Sequence, residues 1–336
     1  ANRLSENPDW RVLLVEAGGP VDHFWSKVPM GYYHCIGDNA LDWNELSDPV
    51  SAANDRQFAV RRGKGLGGST NIGGMIYLRG QPADYDRWAK LGNPSWGWDD
   101  VLPYFKRHEH HVALSAGHAT DGLHGTGGEW RVEGPILTWP VLDAWGEAAE
   151  QAGCPRLVDL NTIGAVGSAY FSVSQGASRR LNAAKAFLQP ALKRKNLSIV
   201  TQATVQKLRV KDGRVTTVRL LRNGFPMEIG ATREIILSAG AIGSPKILLA
   251  SGIGPGETLQ QHGITVCHAL AGVGQNLQDH VTVCAKFSVK HARTVNDCSH
   301  GFFAQARMFI EYFVYGTGPL ASAPAPFGTL ARTDQN

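Results

Sequence analysis

The sequence predicts an α/β fold built around a parallel sheet, and three observations carry that expectation. A short apolar run, Val12–Val15, ends in Glu16 and is followed by Gly18 and Gly19. Residues 60 to 80, VRRGKGLGGSTNIGGMIYLRG, place Gly63, Gly65, Gly67, Gly68, Gly73, Gly74 and Gly80 among small polar side chains. A second apolar run, REIILSAG from Arg233 to Gly240, again enters glycine and leads towards a helical pattern.

Taken in order, residues 1 to 10 read as the last turns of a helix running into a turn. Val12–Val15 is short, apolar and bounded by turn residues, which suits a strand buried in a parallel sheet. In a dinucleotide-binding fold, the second strand carries an acid that hydrogen-bonds the ribose hydroxyls, about 20 residues after a GxGxxG turn. Glu16 has that character. Counting back from it puts the glycine turn and the first strand ahead of residue 1, so both are expected to be lacking.

In the 60–80 stretch, glycines allow positive φ and a close approach of ligand to backbone. Successive N–H groups then form a concavity suited to an anion. Ser69 and Thr70 are placed to cap a helix starting there, and Arg61, Arg62 and Lys64 add positive charge. The apolar run Met75–Leu78 directly behind the glycines argues against a flexible linker.

Farther on, Trp96–Glu109 has apolar residues at helical spacing and acids at its start, and Val141–Ala152 reads as another helix. Residues 110 to 128 read as a loop, and Arg180–Leu192 begins a helix. Leu197–Val205 and Lys207–Leu221 read as paired strands with Asp212–Gly213 as the hairpin turn. Arg233–Gly240 reads as a buried strand, and Ser244–Pro245 opens a helix with proline in its first turn. After His280 the chain becomes rich in Phe and Tyr.

Composition removes several classes of function. A net charge of +4 with no run of five or six like charges gives no nucleic-acid footprint, and no apolar stretch is long enough to span a membrane. Five cysteines without a CxxC spacing point to neither a disulfide framework nor a zinc ribbon, and to a reducing, cytoplasmic setting. A sequence that does not begin with Met leaves a leader or membrane association open. His108, His110, His111 and His118 crowd one stretch, but metal binding needs fixed geometry and further partners, and no metal site is predicted. Trp43, Trp96 and Trp98 are read as core packing rather than as a sugar platform. No GxSxG elbow supports acyl transfer. Asp279 and His280, as neighbours on a strand, would point to opposite faces, so they are read as an anchor rather than a catalytic pair.

These segments together resemble the glucose-methanol-choline (GMC) oxidoreductase family, choline and alcohol dehydrogenase-like, over nearly the whole chain. NRLSENPDWRVLLVEAGG is similar to its first crossover helix and second strand, and GKGLGGSTNIGGMIYLRG to its first diagnostic motif. PADYDRWAKLGNPSWGWDDVLPYFKRHE follows as in the family; GAIGSPKILLASGIG matches the second motif and GVGQNLQDH its usual sequel.

The resemblance implies an FAD-binding Rossmann-like domain with a parallel sheet and a discontinuous substrate-binding domain with an antiparallel sheet, α+β overall and here incomplete. The FAD domain would comprise residues 1–125 and 180–280, lacking the first strand and the GxGxxG turn. The substrate side would comprise 126–179 and 281–336. The activity implied is hydride transfer from an alcohol CH–OH group to flavin N5, giving an aldehyde or ketone, with quinone or oxygen as electron acceptor. Glu16 would bind the ribose; Lys64, Gly67, Gly68, Ser69, Asn71 and Gly74 would line the pyrophosphate and flavin. Val205 would contact the adenine side, and Ala239 and Gly240 would pass beneath the flavin. The family's catalytic His lies beyond residue 336, so no catalytic residue is assigned, and the chain alone is expected to be inactive with weak or no FAD retention. Gly73 stands where the family commonly has Asn, which removes one polar contact unless Asn71 replaces it. Two other readings stay open: a lyase on the same fold with non-redox FAD, and a catalytically silent piece.

Overall fold

A ladder of four residue pairs opens the sheet the sequence calls for. In the computed structural model, which describes residues 1–20, 23–115 and 122–332, Val12–Val15 runs parallel to Leu197–Val200, with Val12 opposite Leu197 and Val15 opposite Val200. The ladder is extended by Val12 N–H donating to Asn196 O at 2.8 Å and Glu16 N–H donating to Val200 O at 2.9 Å. Mixed helix and strand, with a parallel sheet, is therefore what the chain forms.

The chain divides into two compact units, residues 11–20 with 196–288 and residues 1–10 with 21–195 and 289–336. In the first, a three-stranded antiparallel sheet follows the parallel pair: Ala203–Lys211, Arg214–Arg222 and Phe225–Gly230. Asp212 (φ 51°) and Gly213 (φ 74°) make the predicted hairpin turn, both left-handed as a twist-matched two-residue turn requires. Asn223 and Gly224, at φ 49° and 84°, make a second turn of the same kind. Strand boundaries differ from the expected ones because Gln202, at φ 52°, breaks the run after Val200. Leu208 and Leu220 are buried, and the helix Gly240–Ala250 packs on Ala203–Lys211. Ser251 Oγ accepts from Leu208 N at 2.8 Å and donates to Ile247 O, joining the helix end to that strand.

Three expectations fail in this unit. Arg233–Gly240 forms no strand, and Ile236 is 59% exposed. An apolar run becomes a strand only where another strand takes its backbone groups, and no described strand pairs with it. The helix begins at Gly240 rather than at Ser244–Pro245, with Pro245 inside it; Ser244 Oγ accepts from Ala239 N at 2.9 Å across its first turn. Asp279 and His280 are both exposed and lie outside any strand, so the anchoring expected of them is not seen.

In the second unit, Pro82–Lys90 and Trp98–His108 are helices. Asp84 and Asp100 accept from the backbone N–H of Gln81 and Gly97, at 2.8 and 3.2 Å, which satisfies donors that the first helical turn leaves open. Tyr85 meets Trp88, Trp98 and Phe105 edge-on or tilted, with ring centroids 5.4 to 5.7 Å apart. Trp98 is buried as expected, whereas Trp43 is 38% and Trp96 54% exposed, so neither of these is core. The helix Pro140–Gln151 lies against an antiparallel pair, Gly167–Tyr170 with Phe327–Leu330. Arg180–Leu192 is not one helix: Ala184–Leu188 is wider-wound and Gln189–Ala191 tighter, and Pro190, having no N–H, cannot continue a regular ladder. Glu109, expected to end the helix, and His110 and His111, expected to begin a loop, pair in parallel with Trp130–Val132. No helix among the described residues is long and apolar enough to cross a membrane.

Candidate cofactor site

Glycine is required in the 60–80 stretch by contact as well as by torsion. A Cβ on Gly63 would sit 2.4 Å from Gly68 O, closer than any side chain can approach. Gly65, Gly67 and Gly68 follow at φ 113°, 99° and 54°, and a Cβ on Gly68 would point into open space. Around Leu66 the chain thus places three glycines at positive φ, with open space where a Gly68 side chain would stand, a backbone that side-chain-bearing residues adopt at a cost and that can turn N–H groups outward.

Ser69 and Thr70 do not cap an α-helix. Gly68–Asn71 is a four-residue 3₁₀ turn, and its hydroxyls close the loop instead. Ser69 Oγ accepts from Gly63 N at 3.0 Å, and Thr70 Oγ1 accepts from Ala183 N at 2.9 Å. Asn71 is fully buried. Its Nδ2 donates to Leu66 O at 3.0 Å and its Oδ1 accepts from Asn182 at 2.7 Å, so the amide shapes the loop from within. Lys64 Nζ lies 5.2 Å from the Trp43 ring centre. Asp42 underpins the stretch, accepting from Gly37, Asn44 and Arg62 backbone N–H groups at 3.0 to 3.2 Å. Burial pushes its carboxyl up, but those bonds and Arg61 outweigh it, and it stays below the ordinary carboxylate range.

Glu16, Val205, Ala239 and Gly240 lie in the other compact unit. Glu16 Oε1 accepts from Gly18 N at 2.8 Å, and its carbonyl accepts from Ala203 N at 3.0 Å. The acid is thereby fixed at the strand end, half-buried, two residues along the neighbouring strand from Val205. Ala239 and Gly240 are exposed; Gly240, at φ 84°, has nothing within 4 Å of where a Cβ would stand. Two surface clefts, of about 240 and 200 Å³, are lined by other residues, Arg293 to Glu311 and Arg209 to Glu228, and contain none of these positions.

The sequence reading missed a buried ionic network. Arg79 Nη2 donates to Glu109 Oε2 at 2.7 Å, and His124 donates from Nδ1 to Glu109 and from Nε2 to Asp159, each at 2.7 Å. Gly125 N–H adds a 2.7 Å bond to Glu109, and Arg79 Nη1 reaches Leu123 O at 2.7 Å. Burial acts to lower the His124 pKa, but Asp159 and Glu109 outweigh it and raise it to about 9. Of the four crowded histidines, His111 approaches this network, 4.4 Å from the His124 ring centre, while His118 lies outside the described residues. Among the described residues no cluster suits a metal ion. Nothing in the spacing of residues 79, 109, 124 and 159 announces the network.

The profile described as GMC oxidoreductase matches residues 14–282, and the chain belongs to that family. An oxygen-dependent choline dehydrogenase of Rhizobium johnstonii is 41% identical over 281 residues, 84% of this chain and 50% of its own length. One from Proteus mirabilis is 36% identical, over 100% of this chain and 60% of its own. Among solved structures, pyridoxine 4-oxidase from Mesorbium loti is 33% identical with a TM-score of 0.74, over 80% of this chain and 52% of that one. Formate oxidase from Aspergillus oryzae RIB40 is 26% identical with a TM-score of 0.86, over 100% of this chain and 59% of that one. The chain thus spans about half the length of the curated relatives it matches.

FAD is the cofactor that accompanies this family, as in the FAD-dependent oxidoreductase of Chaetomium thermophilum, 28% identical with a TM-score of 0.85. Residues of this chain fit it. The positive-φ glycines, with open space beside Gly68, and the nearby cations suit an anionic group, and a carboxylate held at a strand end suits a ribose diol.

Proposed function

We propose that this chain supplies the FAD-binding part of an oxidoreductase that oxidises an alcohol CH–OH group to a carbonyl. Bound FAD supplies the hydride acceptor at flavin N5. Glu16 accepts from the ribose hydroxyls, and the backbone of Gly67, Gly68, Ser69 and Gly74 with Lys64 holds the pyrophosphate and ring. Asn71 keeps that loop in shape from inside, Val205 borders the adenine, and Ala239 with Gly240 gives close backbone approach. Residues 1–125 and 180–280 are assigned to cofactor binding, and 126–179 with 281–336 to the substrate side. An antiparallel ladder between Gly167–Tyr170 and Phe327–Leu330 joins the two substrate-side pieces and supports that grouping. No residue of the chain is assigned as the base.

The observation that carries the proposal is Gly63 packed on Gly68 O, because a loop built so that only glycine fits serves backbone recognition. Choline is the first alcohol to test and oxygen the first acceptor, given the relatives' activity. Where the sequence reading expects weak or no FAD retention, the glycine-only loop argues for binding: FAD titrated into the purified chain should show saturable quenching of its fluorescence, with none for Gly63→Ala. A wild-type chain that leaves FAD fluorescence unchanged would sink the proposal. Choline added anaerobically to the loaded protein reads the redox step as bleaching of the visible flavin band; a non-redox flavin protein keeps its colour.

A further inference from the structure

Arg180 is 3% exposed and has no carboxylate partner among the described residues. Its guanidinium donates to backbone carbonyls only: Nη2 to Pro29 O at 3.0 Å, Nη1 to Gly73 O and, at 3.5 Å, to Thr70 O. Nε is buried without a partner. The ionisable groups beside it are Cys35 and Tyr32. Burial pushes both upward, Cys35 to about 11, so neither carries a neutralising charge at neutral pH. A buried charge without a counter-ion is costly, and its effect on neighbouring dipoles is scarcely screened.

One of those contacts is to Gly73. A trans peptide carries its C=O and N–H on opposite sides, so the N–H of Gly74 points away from Arg180. That N–H has no hydrogen-bond partner among the described residues, while Gly73 N–H is satisfied by Ser69 O at 2.9 Å. Gly74 is half-buried and lies six residues beyond Gly68 in the same glycine-rich stretch. One peptide therefore has a cation fixed on its carbonyl and a donor left open on its far side.

We propose that Arg180 is a positioning residue that orients and polarises the Gly73–Gly74 peptide, making Gly74 N–H a strengthened donor to an electron-rich atom of bound FAD. The last step rests on the FAD reading above; the polarisation does not. A cation at the carbonyl stabilises the deprotonated amide, so it speeds base-catalysed exchange of the N–H.

The test is hydrogen exchange at the Gly74 amide of the 336-residue chain, read site by site by NMR, in wild type, Arg180→Gln and Arg180→Lys. Without FAD, wild type should exchange about tenfold faster than Arg180→Gln, with Arg180→Lys in between, because unit charge at hydrogen-bond range shifts such equilibria by that order. Equal rates overturn the polarisation. If Arg180→Gln does not fold, the comparison is made with Arg180→Lys, and a wild-type Gly74 rate below that of an unstructured glycine overturns the proposal unaided. With saturating FAD, Gly74 should become protected in wild type; FAD binding without protection overturns the donor role. A wild-type chain that binds no FAD refutes the cofactor reading and the donor role, and the exchange rates without FAD still decide the polarisation.

Discussion

His124 Nδ1 donates to Glu109 Oε1 across 2.7 Å, with both side chains fully shielded from solvent. Glu109 also holds Arg79, which directly follows the apolar run Met75–Leu78 behind the glycines.

Replacing Glu109 with Ala should destabilise the chain by about 3–5 kcal/mol, since it leaves Arg79 and His124 buried without their shared counter-charge. Urea unfolding of Glu109→Ala against wild type measures it. A loss below about 1 kcal/mol, the range of exposed pairs, would show the network to be open to water.

Stability should fall as pH rises from about 6.5 to about 9. The His124 pKa is raised to about 9 in the folded chain, so its contribution is complete below the unfolded value and lost through the folded one. The loss is roughly 3 kcal/mol by linkage. Glu109 and Asp159 are shifted the other way: burial raises them, but hydrogen bonds from His124 and backbone amides win and lower them. Their contribution is present above the unfolded carboxylate range and lost as pH falls. Unfolding free energy measured from pH 5 to 10 should show the alkaline decline in wild type and a flatter profile in His124→Gln.

Glu16→Ala should weaken FAD binding roughly 10- to 100-fold, the worth of hydrogen bonds to a charged acceptor. Glu16→Gln, which keeps one acceptor oxygen, should fall between. Fluorescence titration separates the three; identical affinities would remove Glu16 from the site.

Gly73→Asn restores the residue common at that position in the family. Its Cβ would stand 3.2 Å from Ser69 O, a contact that relaxes with a shift of a few tenths of an ångström. We expect a stability cost below about 1 kcal/mol and tighter FAD binding, read by paired thermal melts and titrations.

Much of the fold was legible because its determinants are local. Asp212–Gly213 reads as a turn since both residues tolerate the left-handed region, and they adopt it. The acids at the start of Trp98–His108 announce a helix that satisfies its own first donors. Asn223–Gly224 carries the same turn chemistry and adopts the same left-handed pair. Ser69 and Thr70 look like caps to any local reading, and only the neighbouring Gly63 and Ala183 amides redirect their hydroxyls.

The sequence by itself determined the strand that ends in Glu16, the places where only glycine is admitted and the family to which these belong, because spacing and backbone preference act within a few residues. Tertiary structure decided the rest. Arg180 reaches Gly73 across 107 positions and Arg79 reaches Glu109 across 30, and no periodicity encodes either pairing. Arg233–Gly240 shows the same limit in reverse: its strand-like composition acts only when a neighbouring strand accepts its backbone, and that depends on distant residues.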